Sequence, residues 1–517
     1  MNKFLYISIL QLAASLSLAN YSFAEIFQTI EGSGTYNLPS GTYDGASSSW
    51  GVALVDSYNS SSIEVNVDGG SGTTIINTQP PVAWLLDVYG NYNSTTGGGH
   101  VVWNGNISAN MKAAYYDFKA VLTNDGNASL LLNGDLNLSV TNSGSHDFFN
   151  TFLVASERNS SSTFNGSLNL TGKTENLSGG SISAGVWVNR GENVSMSLGN
   201  DLSDTMHIHD MQTNAEKDAE SYGIYGYNYE GMRLDYVVNV AASTVIENIT
   251  ASSNSGYSYA AGAEAHGGTI NFANNLTVRN INAEESYALA AYNGGSINVN
   301  QDGAHTVKID GDIDAAMENS VINLNLTNGE SYIRGAVREN SGGAVNMSLK
   351  NGATWHIEGN SGITKLSLDG GNIEVGANGR LEYNSNLTLG GASAMVFHSG
   401  NLSNTGVVIL GESATVEASE TAFVKVVLGE FYKAIDEECS LLLIDTASIV
   451  GAAVLDLENL PGVFVWEDSG EEAQGWALNY IEGEGLFANF TPVPEPATYA
   501  AIFGASALAF AAYRRRK

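Results

Sequence analysis

A single cysteine, Cys439, stands in 517 residues, so no disulfide can form within the chain. Stability must then come from burial or from repetition. Cys439 precedes Leu441-Leu442-Leu443-Ile444, a setting expected to bury the thiol and not to present a nucleophile. Proline is nearly as scarce. There are 7 in all, and three of them stand at 492, 494 and 496, which leaves the body almost free of proline. Strands paired on both edges require that, because each amide must donate. Cations are few as well: 21 Lys and Arg face 54 Asp and Glu, a formal charge of −33. Such a field disfavours nucleic acid and anionic lipid as partners and suits cations or a hydrated polymer. Lyases acting on acidic sugars bind carboxylates through Arg or Lys, so the same shortage argues against them. The sequence holds no phosphate-binding loop, no Cys/His zinc spacing and no Gly-x-Ser-x-Gly elbow. No helix-length run of period 3.6 stands out in the body.

Glycine is abundant, at 58, and 24 Tyr, 17 Phe and 7 Trp argue for a packed structure over disorder. The body restarts one phrase repeatedly. Ser-Tyr openings occur at Ser221-Tyr222, Ser258-Tyr259, Ser286-Tyr287 and Ser331-Tyr332, and the last three run into paired glycines followed by a strand pattern. These continuations are Gly267-Gly268-Thr269-Ile270, Gly294-Gly295-Ser296-Ile297 and Gly342-Gly343-Ala344-Val345. Earlier copies share an Asn-Gly turn at Asn104-Gly105, Asn133-Gly134 and Asn165-Gly166, spaced 29 and 32 residues apart. A period near 30 with three short alternating strands predicts one coil of a right-handed parallel β-helix. Sandwich turns recur too often for this period, and a propeller blade needs about 40–45 residues. Alternation places Ile297, Val299, Val307 and Ile309 inward and Asn, Ser and Thr outward. Inward Asn near the turns is expected to stack between coils.

Both termini carry transport features. Lys3, the apolar stretch from Phe4 to Leu18 and Ser22-Phe23-Ala24 predict a signal peptide over 1–24, cleaved between Ala24 and Glu25. An N-terminal cap over 25–47, β-helix repeats over 48–420 and a small β cap over 421–490 complete the expected body. The denser apolar runs Phe423–Leu428 and Leu441–Ile444 mark that last change, and open solenoid ends need covering.

From 491 to 517 come Val493-Pro494-Glu495-Pro496, an uncharged apolar stretch Tyr499–Tyr513, and Arg514-Arg515-Arg516-Lys517. The prolines fix φ and remove donors, which predicts extended chain before the apolar stretch. That stretch, as a helix, spans roughly 22 Å, short of a ~30 Å hydrocarbon core, with the basic end held on the cytoplasmic side. The order and spacing resemble the PEP-CTERM sorting signal of Gram-negative bacteria. The resemblance implies passage through the general secretion machinery, a transient transmembrane helix in the inner membrane, and handling by an exosortase, a membrane-embedded cysteine transpeptidase-like enzyme. It implies release to the cell surface or extracellular polymer.

A second resemblance rests on Trp355-His356-Ile357-Glu358-Gly359 and Leu366-Ser367-Leu368-Asp369-Gly370-Gly371. This stretch is similar to the late passenger segment of pertactin-like autotransporters, which implies a β-helix. Their outer-membrane barrel has no counterpart in this sequence, so the architecture carries over and the transport route does not.

His207 and His209 are the strongest candidates for chemistry, since on a strand both point to one side, as two metal ligands would. A third ligand is not visible, and surface polarity explains them equally. Asp310-Gly311-Asp312-Ile313-Asp314 starts like a calcium loop, but Ala315 and Val321 stand where glycine and glutamate are required. No cofactor is expected. The function expected is a non-enzymatic structural or adhesive protein, with extracellular polysaccharide as a candidate partner. A polysaccharide lyase or glycoside hydrolase on the same scaffold is the alternative, because solenoids can assemble carboxylate pairs from different coils.

Overall fold

The computed structural model describes residues 34–37, 41–44, 53–56, 63–77, 85–90, 98–189, 193–201, 203–227, 236–447, 455–492 and 496–515. Three strands per coil repeat through most of this length. Ser258–His266, Thr269–Phe272 and Leu276–Asn282 form one coil, and Glu285–Tyr292, Ser296–Val299 and Val307–Asp310 form the next. Each strand pairs in parallel with its equivalent one coil on. The chain is a parallel β-helix, as the period requires. The strands that open each coil make a ten-stranded sheet, here the first face. The second and third strands of each coil make the second and third faces. These two are joined in one large sheet because long strands such as Gly99–Ala113 run round the corner between them.

Inward side chains stack in columns. Ile270, Ile297, Ile322 and Val345 oppose one another along the second face, and Val278, Ile309, Ile333, Trp355, Ile373 and Met395 along the third. All are fully buried, as are Val299 and Val307. The Asn-Gly turns fall in register. Asn133 Nδ2 donates to Asn104 Oδ1 and Asn165 Nδ2 to Asn133 Oδ1, each at 2.9 Å. Glycine follows because the next position has φ of 154° at Gly134, and a Cβ there would sit 2.4 Å from the Gly105 carbonyl oxygen.

The asparagine stacks differ from expectation in direction. The long ladder, Asn239–Asn271–Asn298–Asn323–Asn346, runs on the outward side of the second face, with amide-to-amide bonds of 2.7–2.9 Å. Buried Asn142 and Asn176 do sit inside near a corner, but they bond to backbone of their own and the neighbouring coil. An inward amide must satisfy every polar atom, and backbone groups at the corner offer more partners than one stacked amide.

The parallel rule runs on past 421: Phe423–Leu428 pairs with Ala394–Asn401, and Gly462–Trp466 with Phe423–Leu428. It ends where Gly485–Phe490 pairs antiparallel with both Cys439–Asp445 and Trp476–Ile481. Trp476 packs there against Tyr432, Phe464 and Phe490, closing this end of the core. Cys439 is half-buried in this cap and burial pushes its thiol up, so it makes a poor nucleophile.

Pro496 to Arg515 form a helix of 20 residues, about 30 Å long. Pro496 thus begins the helix and does not precede it in extended chain, a place that suits proline because the first helical amide needs no partner. No helix among the described residues is long and apolar enough to cross a membrane. This corrects the expectation of a transmembrane helix. The added length is Pro496-Ala497-Thr498 and two arginines, and alanine, weakly apolar, fills nearly half of the rest.

Candidate functional sites

The sorting tail lies partly outside the described residues. Val493, Pro494, Glu495 and Arg516 fall there, as do Ala24 and Glu25 at the expected signal-peptide junction. Within the helix, Leu508, Phe510 and Tyr513 are exposed, and the Arg514 guanidinium lies over the Phe510 ring.

His207 and His209 do share the outward side of the third face, with rings stacked 4.1 Å apart. Their nitrogens do not converge. His207 Nε2 meets Glu247 Oε1 at 2.9 Å, while His209 uses Nδ1 on Asp210 and Nε2 on Asn169, both at 2.9 Å. Burial acts to raise the Glu247 carboxyl, but the bonds from His207 and Arg279 hold it below the ordinary glutamate range. Asp210 is held low chiefly by its bond from His209. Asp210, Asn248 and Asn280 stack beside the histidines in left-handed conformation, φ 53–57°, with side chains bonded in series. Asp and Asn tolerate that conformation, which fixes the local bulge. The pair therefore reads as one step in a polar ladder between coils. No group of three or more His, Cys, Asp or Glu among the described residues could hold a metal ion.

The aspartates of the calcium-like stretch are dispersed by the corner at Gly311. Asp310 takes bonds from Arg334 and Tyr332, Asp312 from Arg338 and the Ala336 amide, and Asp314 from Asn340.

The richest assembly is on the outer side of the first face, and the sequence reading did not single it out. Strands such as Gly180–Asn189 are buried on both sides. Leu122, Phe152, Trp187, Tyr222, Tyr225, Tyr259 and Tyr287 form a hydrophobic cluster separate from the inner core. Phe152 stacks on Trp187 and Tyr222 on Tyr225, each pair 4.0 Å apart. The phenols donate to carboxylates: Tyr222 to Glu220 at 2.8 Å, Tyr287 to Glu285 at 2.8 Å, and Tyr259 to Glu264. Glu264 also meets His266 at 2.8 Å, and tyrosines 225, 227 and 292 surround that imidazole. Burial pushes up the carboxyls of Glu220, Asp314 and Glu157. Lys119 lies 5.2 Å above the Trp187 ring and 3.1 Å from Glu157. Burial would lower its ammonium, yet Glu157 and Asp117 raise it.

The repeated Ser-Tyr phrase was the available signal, but register changes its meaning. Tyr222 opposes Ala261, and Ala261 opposes Tyr287, while Tyr259 stands between Glu220 and Glu285. The middle copy is thus shifted by two residues, and Ser331-Tyr332 lies on the third face.

A family model for the PEP-CTERM protein-sorting motif matches residues 492–517. The motif marks an exported, surface or extracellular protein with exosortase as its processing partner. A search of the curated proteins finds no match to the chain.

Proposed function

We propose that this exported, exosortase-sorted chain is a structural or adhesive rod of the cell surface or extracellular polymer, without catalytic work of its own. The continuous parallel ladder carries this reading. Among the described residues the first face holds ten strands, and four strands of the six-stranded sheet follow the same parallel stacking. At the ordinary spacing of strands, that many coils make a rod of roughly 65 Å. Outward asparagine ladders and ion pairs fix its register, and the tail directs it to the surface. In the native host, removing the chain should weaken cell attachment or matrix cohesion, and adding purified chain back should restore it. Unchanged attachment and cohesion after removal would overturn the reading.

A glycoside hydrolase is the second reading, and one observation favours it. Glu220 and Glu264 lie in each other's field on the outer side of the first face, with Glu220 pushed up by burial. A pair of neighbouring carboxyls is what glycoside cleavage uses. Turnover of any glycan by the purified chain, abolished in both Glu220→Gln and Glu264→Gln, would establish this reading in place of the first.

A further inference from the structure

The outward side of the second face is nearly free of charge, although the chain carries −33. Across eight successive strands, from Ser129–Asn133 to Ala344–Lys350, its outward places hold only Ser, Thr, Asn, Val, Leu and Ala until Lys350 closes the last strand. The other two faces differ: Glu220 and Glu264 stand on the first, and Glu247 and Arg279 on the third. Register also runs without a shift from strand to strand over this length. The third face, by contrast, shifts between Thr171 and Lys173. The second face is therefore the flat and uncharged side of the rod.

Two columns run side by side along it. Asn239, Asn271, Asn298, Asn323 and Asn346 make one, each amide bonded to the next at 2.7–2.9 Å. Val237, Thr269, Ser296, Val321 and Ala344 make the other, two residues earlier on the same strands. All are exposed or half-buried, so water reaches both columns. An amide has two N–H donors and two acceptor lone pairs, and an inner rung of the ladder uses one of each. One donor and one acceptor per rung are left for water, and the bonds on either side hold them in place beforehand. The array repeats at about 4.8 Å along the axis and about 6.7 Å along each strand, near the oxygen spacings on the prism faces of ice.

Ice is a rigid lattice of donors and acceptors without charge, and a surface that matches it must be flat, stiff and uncharged. A charged group would orient water about itself and against the lattice. Water that bridges fixed polar groups costs little beyond its own ordering, and in a crystal that ordering is already complete. A second copy of the chain fits the face less well. Eight strands at about 4.8 Å spacing, two columns wide, offer roughly 400 Å². Two copies would then bury about 800 Å², below the roughly 1,200–2,000 Å² of stable interfaces. We propose that the outward side of the second face binds ice, with the amide ladder and the Thr269 column anchoring water of the crystal surface. This activity stands beside the structural reading and does not rest on it.

The test is uptake of the purified full exported chain into a slowly growing ice hemisphere, with thermal hysteresis of the same solution read beside it. The chain should enter the ice and should open a gap between the melting and freezing points. Thr269→Tyr and Ser296→Tyr each raise a ring above the flat array. Each should lose most of the uptake with the unfolding temperature unchanged, and two positions keep the test decisive if one variant folds poorly. Thr277→Tyr, outward on the third face, should keep all of it. Exclusion of the parent from ice, parent-level uptake in both second-face variants, or an equal loss in Thr277→Tyr would overturn the site. Exclusion from ice with retention on microcrystalline cellulose, lost in Thr269→Tyr, would overturn it and give the face to a solid glycan. Concentration-dependent self-association, lost in the same variants and without uptake into ice, would overturn it in favour of a second copy.

Discussion

The outer sides of the first and third faces are built on the same coils, yet they treat charge in opposite ways. On the first face, tyrosines and Trp187 exclude water, and burial pushes the Glu157, Glu220 and Asp314 carboxyls up. On the third face, acids alternate with basic side chains from coil to coil: Glu247 opposes Arg279, Asp310 opposes Arg334, and His356 opposes Glu374. Glu374 accepts from His356 at 2.8 Å and His398 at 2.6 Å, and those bonds hold its carboxyl far below the ordinary range. The ladder is common to both, so the bulk of the neighbours decides the outcome. Large rings make a dry face that resembles a second core, while small polar neighbours such as Thr277 and Asn372 leave a wet one whose charges pair across coils.

The largest test of that contrast is packing. Trp187→Ala should cost roughly 3–5 kcal/mol, the range for a buried tryptophan, although its side chain points away from the solenoid interior. Thr277→Ala, outward on the third face, should cost no more than about 0.5 kcal/mol. Denaturant unfolding followed by hydrogen exchange of the central coils would measure both. Equal losses would mean that the outer rings are a surface coating and no core.

How much of this was legible in the sequence follows from the same contrast. The repeat period and the inward places of Ile297, Val299, Val307 and Ile309 follow from alternation, which assumes one dry side and one wet side. That assumption holds on the second and third faces and fails on the first. There, Ala184-Gly185-Val186-Trp187-Val188 is buried on both sides and carries no period at all. The histidine pair was placed correctly on one side of a strand by its spacing. Its partners were not legible, because Glu247 and Asn169 each lie 40 residues away and meet it only through coil stacking. The Ser-Tyr phrase marked the coils but not their register, since a shift of two residues keeps every side chain on its own side.

Smaller effects should appear where single bonds are removed, and their sign should differ between faces. Asn298→Ala, in the middle of the outward amide ladder, should cost roughly 1–2 kcal/mol for two lost bonds. Glu374→Gln should cost a similar amount at pH 7, again about 1–2 kcal/mol. A carboxyl held low in the folded state contributes stability above its unfolded value, about 4.3, and loses it as pH falls below that. The cost of Glu374→Gln should therefore shrink towards pH 3. Glu220 is the opposite case, because its carboxyl is pushed up and the ionised form is disfavoured by folding. Glu220→Gln should leave stability unchanged or raised at pH 7, with the gain vanishing in acid. Unfolding curves at both pH values separate the two, and the same sign for both substitutions at pH 7 would erase the distinction between a dry and a wet face.

The smallest expected effect concerns the exposed ion pairs of the third face. Arg334 lies 3.2 Å from Asp310 and 3.7 Å from Glu358, with its guanidinium over the Tyr332 ring. Its side chain is 50% exposed, so water screens each of these contacts. Arg334→Gln should then cost about 0.5 kcal/mol at low salt. Because exposed charges are screened over a few ångströms at high ionic strength, that loss should fade in about 0.5 M salt. Unfolding of the variant and the parent at both salt concentrations gives the comparison. A loss several times larger that persists at high salt would mean that Arg334 acts through packing on Tyr332, and the third face would then share the first face's reliance on aromatic contact.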